Sequence, residues 1–236
     1  MDVKDLKNYG DDVATTLASL PRALWDRMEA LAGRVALKRF GLLKILQLPG
    51  LIKEEEAKIR AVDPAAFRAR GLDKDELLPR IITQVAAFAA VARLAGTDKA
   101  VSVFEEITRE VGAELWAAQL PPPDDFKRCG DGFAAFRAYF DAMMAANRRV
   151  GVLDYEVVED GPDAVQYDVT SCVFCELAER LGYRDAARHL CLADDVYFPV
   201  AGRELGLCFV RKGTLARGDQ CCDFRFERAP EADRQE

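Results

Sequence analysis

The sequence predicts an α+β protein, with a helical N-terminal part packed on a C-terminal four-stranded antiparallel sheet of ββααββ order. Three observations predict it. Apolar residues recur at helical spacing through residues 77–148. The pattern turns to alternation near residue 150. Two hairpin signals then flank a helical stretch. Residues 1–148 are accordingly read as a helical region and residues 149–236 as an α+β domain carrying the chemistry, the two forming one compact unit.

Residues 11–57 hold two or three less regular helices around Leu17, Leu24, Trp25, Met28 and Leu31, punctuated by Pro21, Pro49 and Gly50. Leu77, Leu78, Ile81, Ile82, Val85, Phe88, Val91 and Leu94 make one apolar helix face. Val103, Phe104, Ile107, Val111 and Leu115 repeat that logic over residues 101–116. "PPPDDF", residues 121–126, is a break followed by an acidic helix start. The next helix, about 126–148, is aromatic, with Phe133, Phe136, Tyr139, Phe140 and Met144. "VLDYEVVEDGPDAVQYDVTSC" alternates on both sides of Asp160-Gly161 and reads as a β-hairpin. "CVFCELAERLGY" is a short helix that Thr170 or Ser171 can cap. "RDAARHLCLADDVYF" is a second helical or irregular piece. "GLCFVRKGTL" and "QCCDFRFER" form another hairpin around Arg217-Gly218-Asp219, and the tail "RAPEADRQE" reads as frayed.

Composition excludes several function classes. The net charge of −7 and a pI near 5.0 give no bulk attraction to nucleic acid or an anionic membrane. No apolar run reaches the roughly 18 residues of a membrane span. "MDVKDLKNYGDD" has no apolar segment behind it and does not read as a signal peptide. Seven cysteines, an odd number, in a cytoplasmic-looking chain argue for reduced thiols rather than a disulfide framework. A small-molecule partner is expected, with no nucleic acid and no membrane; a homo-oligomer remains open.

The thiols and acids carry the candidate chemistry. In the last strand Cys222, Phe224 and Phe226 share one face; Cys221, Asp223 and Arg225 share the other, the last two as a charge pair. The phenylalanines mark the buried side, so Cys222 points inward, either as a small hydrophobe or as a reactive group. Cys172 falls in a first helical turn, where free amides and the helix dipole stabilise a thiolate, and Glu176 follows one turn later. Cys191 and Asp194 have C-x-x-D spacing and share a helix face, with Asp195 able to replace Asp194. His189 is the only histidine; without a glycine elbow nearby, a partly exposed helix histidine is the simpler reading. Cys172, Glu176, Cys191, Asp194 and Cys222 also include the ligand types zinc accepts, although adjacent Cys221 and Cys222 point apart on a strand. No glycine-rich phosphate loop follows a strand.

"YDVTSCVFCELAERLGY", "HLCLADD" and "VRKGTLARGDQCCDFRF" together resemble the L-2-amino-thiazoline-4-carboxylic acid hydrolase family. The matching positions are Cys172, Glu176, Cys191, Asp194, Thr214, Gly218, Asp219, Cys222, Asp223, Phe224 and Arg225; Val173 stands where the family often has proline. The resemblance implies hydrolysis of a small cyclic C=N compound such as a 2-aminothiazoline carboxylate. It implies Cys172, Glu176, Cys191 and Asp194 as catalytic groups, Thr214, Cys222 and Phe224 as substrate-binding groups, and no cofactor. The alternative is a non-catalytic ligand-binding or sensor domain similar to the 4-vinyl reductase type, with a structural zinc; Thr214 stands where that site would want another cysteine.

Overall fold

The computed structural model describes residues 2–12, 21–61, 77–118 and 120–230; Leu17 and the tail from residue 231 lie outside them. The helices are α1 (Val3–Asp12), α2 (Arg22–Phe40), α3 (Leu42–Ile45), α4 (Leu48–Ala61), α5 (Leu77–Ala95), α6 (Thr97–Ala117), α7 (Pro123–Lys127) and α8 (Gly132–Arg149). Then come β1 (Leu153–Asp160), β2 (Ala164–Cys172), α9 (Val173–Arg180), α10 (Arg188–Leu205), β3 (Leu207–Val210) and β4 (Cys222–Arg228). The fold is α+β as expected.

Three local departures have physical reasons. Pro49 and Gly50 do not interrupt the chain but lie in the first turn of α4, where a missing N–H leaves no helical bond unmade. The aromatic helix expected from about residue 126 is divided into α7 and α8. Gly130 turns the chain with φ 90°. Asp131 then caps α8, its carboxylate accepting a hydrogen bond from the Ala134 amide at 3.1 Å. The polar N-terminus forms α1, which buries Leu6 completely. Gly10 lets α1 lie against α8: a Cβ there would stand 2.7 Å from the Tyr139 carbonyl oxygen.

The sheet has four strands in the order β1-β2-β4-β3, all antiparallel. Val169 faces Cys222 across β2 and β4, and Phe209 faces Phe226 across β3 and β4. Period-two alternation sends Tyr155, Val165, Tyr167, Val169, Cys222 and Phe226 to one face. On that face α8 contributes Phe136 and Phe140, and α10 contributes Phe198. Phe226 is the hub, with ring centroids 4.7 Å from Phe140, 5.0 Å from Phe136 and 5.1 Å from Phe198. Burying each such ring stabilises the fold by about 1.5–3 kcal/mol.

The opposite face is polar and holds a corrected pairing. Arg225 pairs with Glu159 and Glu227, not with Asp223. The Asp223 carboxylate instead accepts the backbone N–H groups of Lys212 and Gly213. A second core joins Ile81, Val85 and Phe88 of α5 to Val173, Leu177 and Ala178 of α9. A smaller one joins α2 to α6 through Leu31, Val35, Val103 and Val111. Cys172 packs against both the first and the second core. The seam between these two cores is where the candidate chemistry collects.

Candidate active site

Four elements bring side chains to this seam. β2 ends at Cys172, which is also the N-cap of α9; no side chain caps that helix by hydrogen bonding. The cap is therefore neither Thr170 nor Ser171, and Cys172 stands just before the first turn rather than in it. The Ser171 hydroxyl donates to the Glu176 carboxylate at 2.5 Å. Cys175 lies one turn into α9 and is buried. Cys191 and Asp194 come from α10, where their spacing does place them on one side. Cys222 opens β4 and is 4 % exposed, and its sulfur accepts the Leu215 N–H at 3.2 Å.

The thiols form a continuous line. The thiol of Cys175 is coupled to those of Cys172 and Cys191, and Cys191 is also coupled to Cys222. Three of them are pushed toward the protonated form. Cys175 is raised first by its contact with Cys172, then by burial. Cys191 is raised to about 12, chiefly by Cys175, with burial and Asp194 adding and Cys222 opposing. Cys222 is raised by Cys191 and by burial, against the pull of the Leu215 amide and Arg211.

Beside this line sits a buried charge network. Arg211, in the loop after β3, has a side chain only 2 % exposed. Its guanidinium reaches Asp194 at 2.5 Å and Asp195 at 2.8 Å, and it donates to the Cys191 carbonyl. The rings of Phe209 and Phe224 lie 5.7 and 5.1 Å from it. On its other side Asp194 accepts the Trp116 indole N–H at 2.9 Å. Helix α6 can bring Trp116 so close because it has Gly112 at the contact; a Cβ there would lie 3.2 Å from the Ala193 Cα of α10.

Burial raises Asp194 to about 6, while Arg211 and Trp116 pull the other way. Arg211 is itself raised, because the two aspartates outweigh the burial that opposes its charge. The pair is thus ionic at neutral pH, with Asp194 the member that can take a proton under mildly acidic conditions.

The loop between β3 and β4 is built by the resemblance motif. Gly218 adopts φ 94°, a conformation glycine accepts without strain. Asp219 then accepts the Thr214 N–H at 2.8 Å. This folds Thr214 inward, 4 % exposed, with its hydroxyl oxygen lacking a hydrogen-bond partner. Gly218, Asp219 and Asp223 are therefore loop formers that set Thr214, Arg211 and Cys222 in place. Phe224 supports the Arg211 guanidinium.

Sequence-predicted residues fare unevenly. Cys172, Cys191 and Cys222 come together with Cys175, and Asp194 lies beside them. Glu176 engages Ser171. His189 is buried, not partly exposed, and its ring centroid is 5.0 Å from that of Phe104. Burial lowers its pKa to about 4, so it is neutral at neutral pH. Cys221 interacts with Asp168, away from the thiol line. Arg211, Trp116 and Cys175 were not predicted. Cys175 had a signal, the C-x-x-C spacing of "CVFC" at a helix start. Two open grooves of about 440 and 360 Å³ lie elsewhere, one between Arg39 and Glu110 and one between Lys127 and Arg228.

Among the described residues, no three His, Cys, Asp or Glu side chains form a group that could hold a metal ion. Nor is any helix of the described residues long and apolar enough to cross a membrane.

The model of the L-2-amino-thiazoline-4-carboxylic acid hydrolase family matches residues 76–226, well over half of the 236-residue chain. The chain belongs to this family. The match takes in α5 and α6 as well as the sheet, so the elements carrying Trp116 and Gly112 are within it. None of the curated proteins matches the chain. Membership of the L-2-amino-thiazoline-4-carboxylic acid hydrolase family supports a hydrolase function.

Proposed function

We propose that the protein opens a small cyclic C=N compound carrying a carboxylate, such as a 2-aminothiazoline carboxylate, by hydrolysis at the thiol line. The observation that carries this reading is the meeting of Cys172, Cys175, Cys191 and Cys222 beside the Asp194–Arg211 pair. Three of these thiols are held protonated by burial and by one another. Cys172, half-buried at the start of α9, is the one the reading assigns as nucleophile.

In this reading the Cys172 sulfur adds to the C=N carbon, and the ring nitrogen takes a proton. The bond from that carbon to the other ring heteroatom breaks, and the heteroatom departs with a proton. Water then adds to the same carbon, losing a proton to Asp194, and the Cys172 sulfur leaves and is reprotonated. One water is gained and one ring bond is lost. Asp194 suits the base role because it is ionised just above its pKa of about 6. Thr214 supplies the hydroxyl with unused bonding capacity, and the amides at the start of α9 suit the substrate carboxylate. A water activated by Asp194 without a covalent step is the close variant.

The test incubates the protein with L-2-amino-thiazoline-4-carboxylate and follows the substrate by mass. The expected result is a product heavier by one water, formed by the wild type and not by Asp194→Asn. Tight binding without any product would replace the hydrolase reading with that of a ligand-binding domain.

A further inference from the structure

We propose that Cys172 and Cys175 are a dithiol–disulfide couple, closed by small peroxides and reopened by thiols. The sequence C-V-F-C places them at the N-cap and third position of α9. Those two positions face each other at a helix start, which is why a side chain at the cap can reach the third residue. Here Cys172 is the foremost influence on the Cys175 thiol, raising it above its usual range. C-x-x-C at a helix start is the spacing of redox dithiols that open and close a disulfide. Cys172 is half-buried and Cys175 buried, so a small oxidant can approach the first thiol, and the second stands behind it.

The chemistry balances without a metal. The Cys172 sulfur attacks the O–O bond of a peroxide, forming a sulfenic acid and releasing water or an alcohol. The Cys175 sulfur then attacks the sulfenic sulfur, a second water leaves, and the disulfide forms. Two thiols and one hydroperoxide thus give a disulfide, an alcohol and water. Two equivalents of a monothiol such as glutathione reverse the change by exchange. Because Cys175 also contacts Cys191, the couple sits at one end of the thiol line, and its oxidation changes the whole site. That oxidation silences hydrolysis rests on the reading of Cys172 as nucleophile; the disulfide does not.

The experiment uses the full chain, reduced, then treated with one equivalent of hydrogen peroxide, alkylated and digested with trypsin. Both cysteines fall in one peptide, residues 150–180, and Cys191 falls in another, residues 189–203. The expected result is a 150–180 peptide lighter by two hydrogens and unalkylated, restored to a doubly alkylated form by glutathione. Cys175→Ser should instead leave Cys172 as a sulfenic acid, which a second equivalent of peroxide carries on to sulfinic acid. Cys208→Ser, on β3, should behave as the wild type. Sulfinic acid at Cys172 with Cys175 still alkylated in the wild type, a link between the two peptides, or full alkylation of both thiols would each overturn the proposal. The readout is the thiols themselves, so it holds or fails apart from any turnover.

Discussion

The two halves of α10 differ sharply. Toward the sheet, Phe198 joins Phe136, Phe140 and Phe226 in a dry aromatic cluster whose members are 2 % exposed or less. In its N-terminal half, Cys191 and Asp194 meet thiols and a buried guanidinium. One half lowers free energy by burying apolar area. The other keeps polar groups out of water, which is costly unless each is paired. Cys191, Asp194 and Phe198 share one face of the helix, so stability and chemistry lie at its two halves, and substitutions should separate them.

Phe140→Ala tests the aromatic side and should have the largest effect on folding. It removes ring contacts to Phe136, Tyr167, Phe198 and Phe226, at a cost of about 3–5 kcal/mol in urea unfolding. A loss under about 1 kcal/mol would mean that the cluster does not hold the sheet to the helices.

Arg211→Met tests the charged side. It strands Asp194 in a buried site, which costs roughly 3–5 kcal/mol when one partner of a buried pair is removed. It also removes the main influence lowering the Asp194 pKa. The acid limb of kcat/KM, expected near pH 6 in the wild type, should move to higher pH. A limb that stays in place would deny Asp194 the role of base.

His189 allows a pH test between the two. Its pKa falls from 6.5 in the unfolded chain to about 4 in the fold. A depressed pKa contributes stability that is present above 6.5 and lost as pH falls through about 4, on the order of 3 kcal/mol. Asp194, raised from 3.8 to about 6, acts in the opposite sense over part of that range. The comparison is therefore wild type against His189→Gln, whose unfolding free energy should fall less between pH 7 and pH 4. Parallel curves would contradict the burial of a neutral imidazole.

Thr214→Val should have the smallest effect on folding. Its hydroxyl oxygen has no partner, so removing it should be neutral or stabilising by up to about 1 kcal/mol. If the hydroxyl serves substrate, KM should rise in the same variant.

The aromatic side was legible in the sequence, and the thiol side only in part. Alternation around Asp160-Gly161 marks the first hairpin, and Phe133, Phe136 and Phe140 mark one helix face, because burial repeats with the backbone period. The polar segment that forms α1 has too few apolar residues to announce itself; Leu6 is buried only because α8 is there to receive it. Arg211 follows a strand of four residues and looks like any loop cation. Its burial depends on Asp194, Asp195 and Phe224 arriving from other elements, which no local pattern encodes. Cys172, Cys191 and Cys222 could be singled out by motif, but their contact through Cys175 is a tertiary fact.

Cys172→Ser separates chemistry from stability most directly, measured for turnover of L-2-amino-thiazoline-4-carboxylate and for unfolding in urea on the same preparation. A lost nucleophile at an otherwise intact site predicts a fall in kcat/KM on the order of 10³-fold or more, with unfolding free energy within about 1 kcal/mol of the wild type. Wild-type turnover by Cys172→Ser would contradict the assignment of the nucleophile, and a loss of stability as large as that of Phe140→Ala would contradict the division of labour across α10.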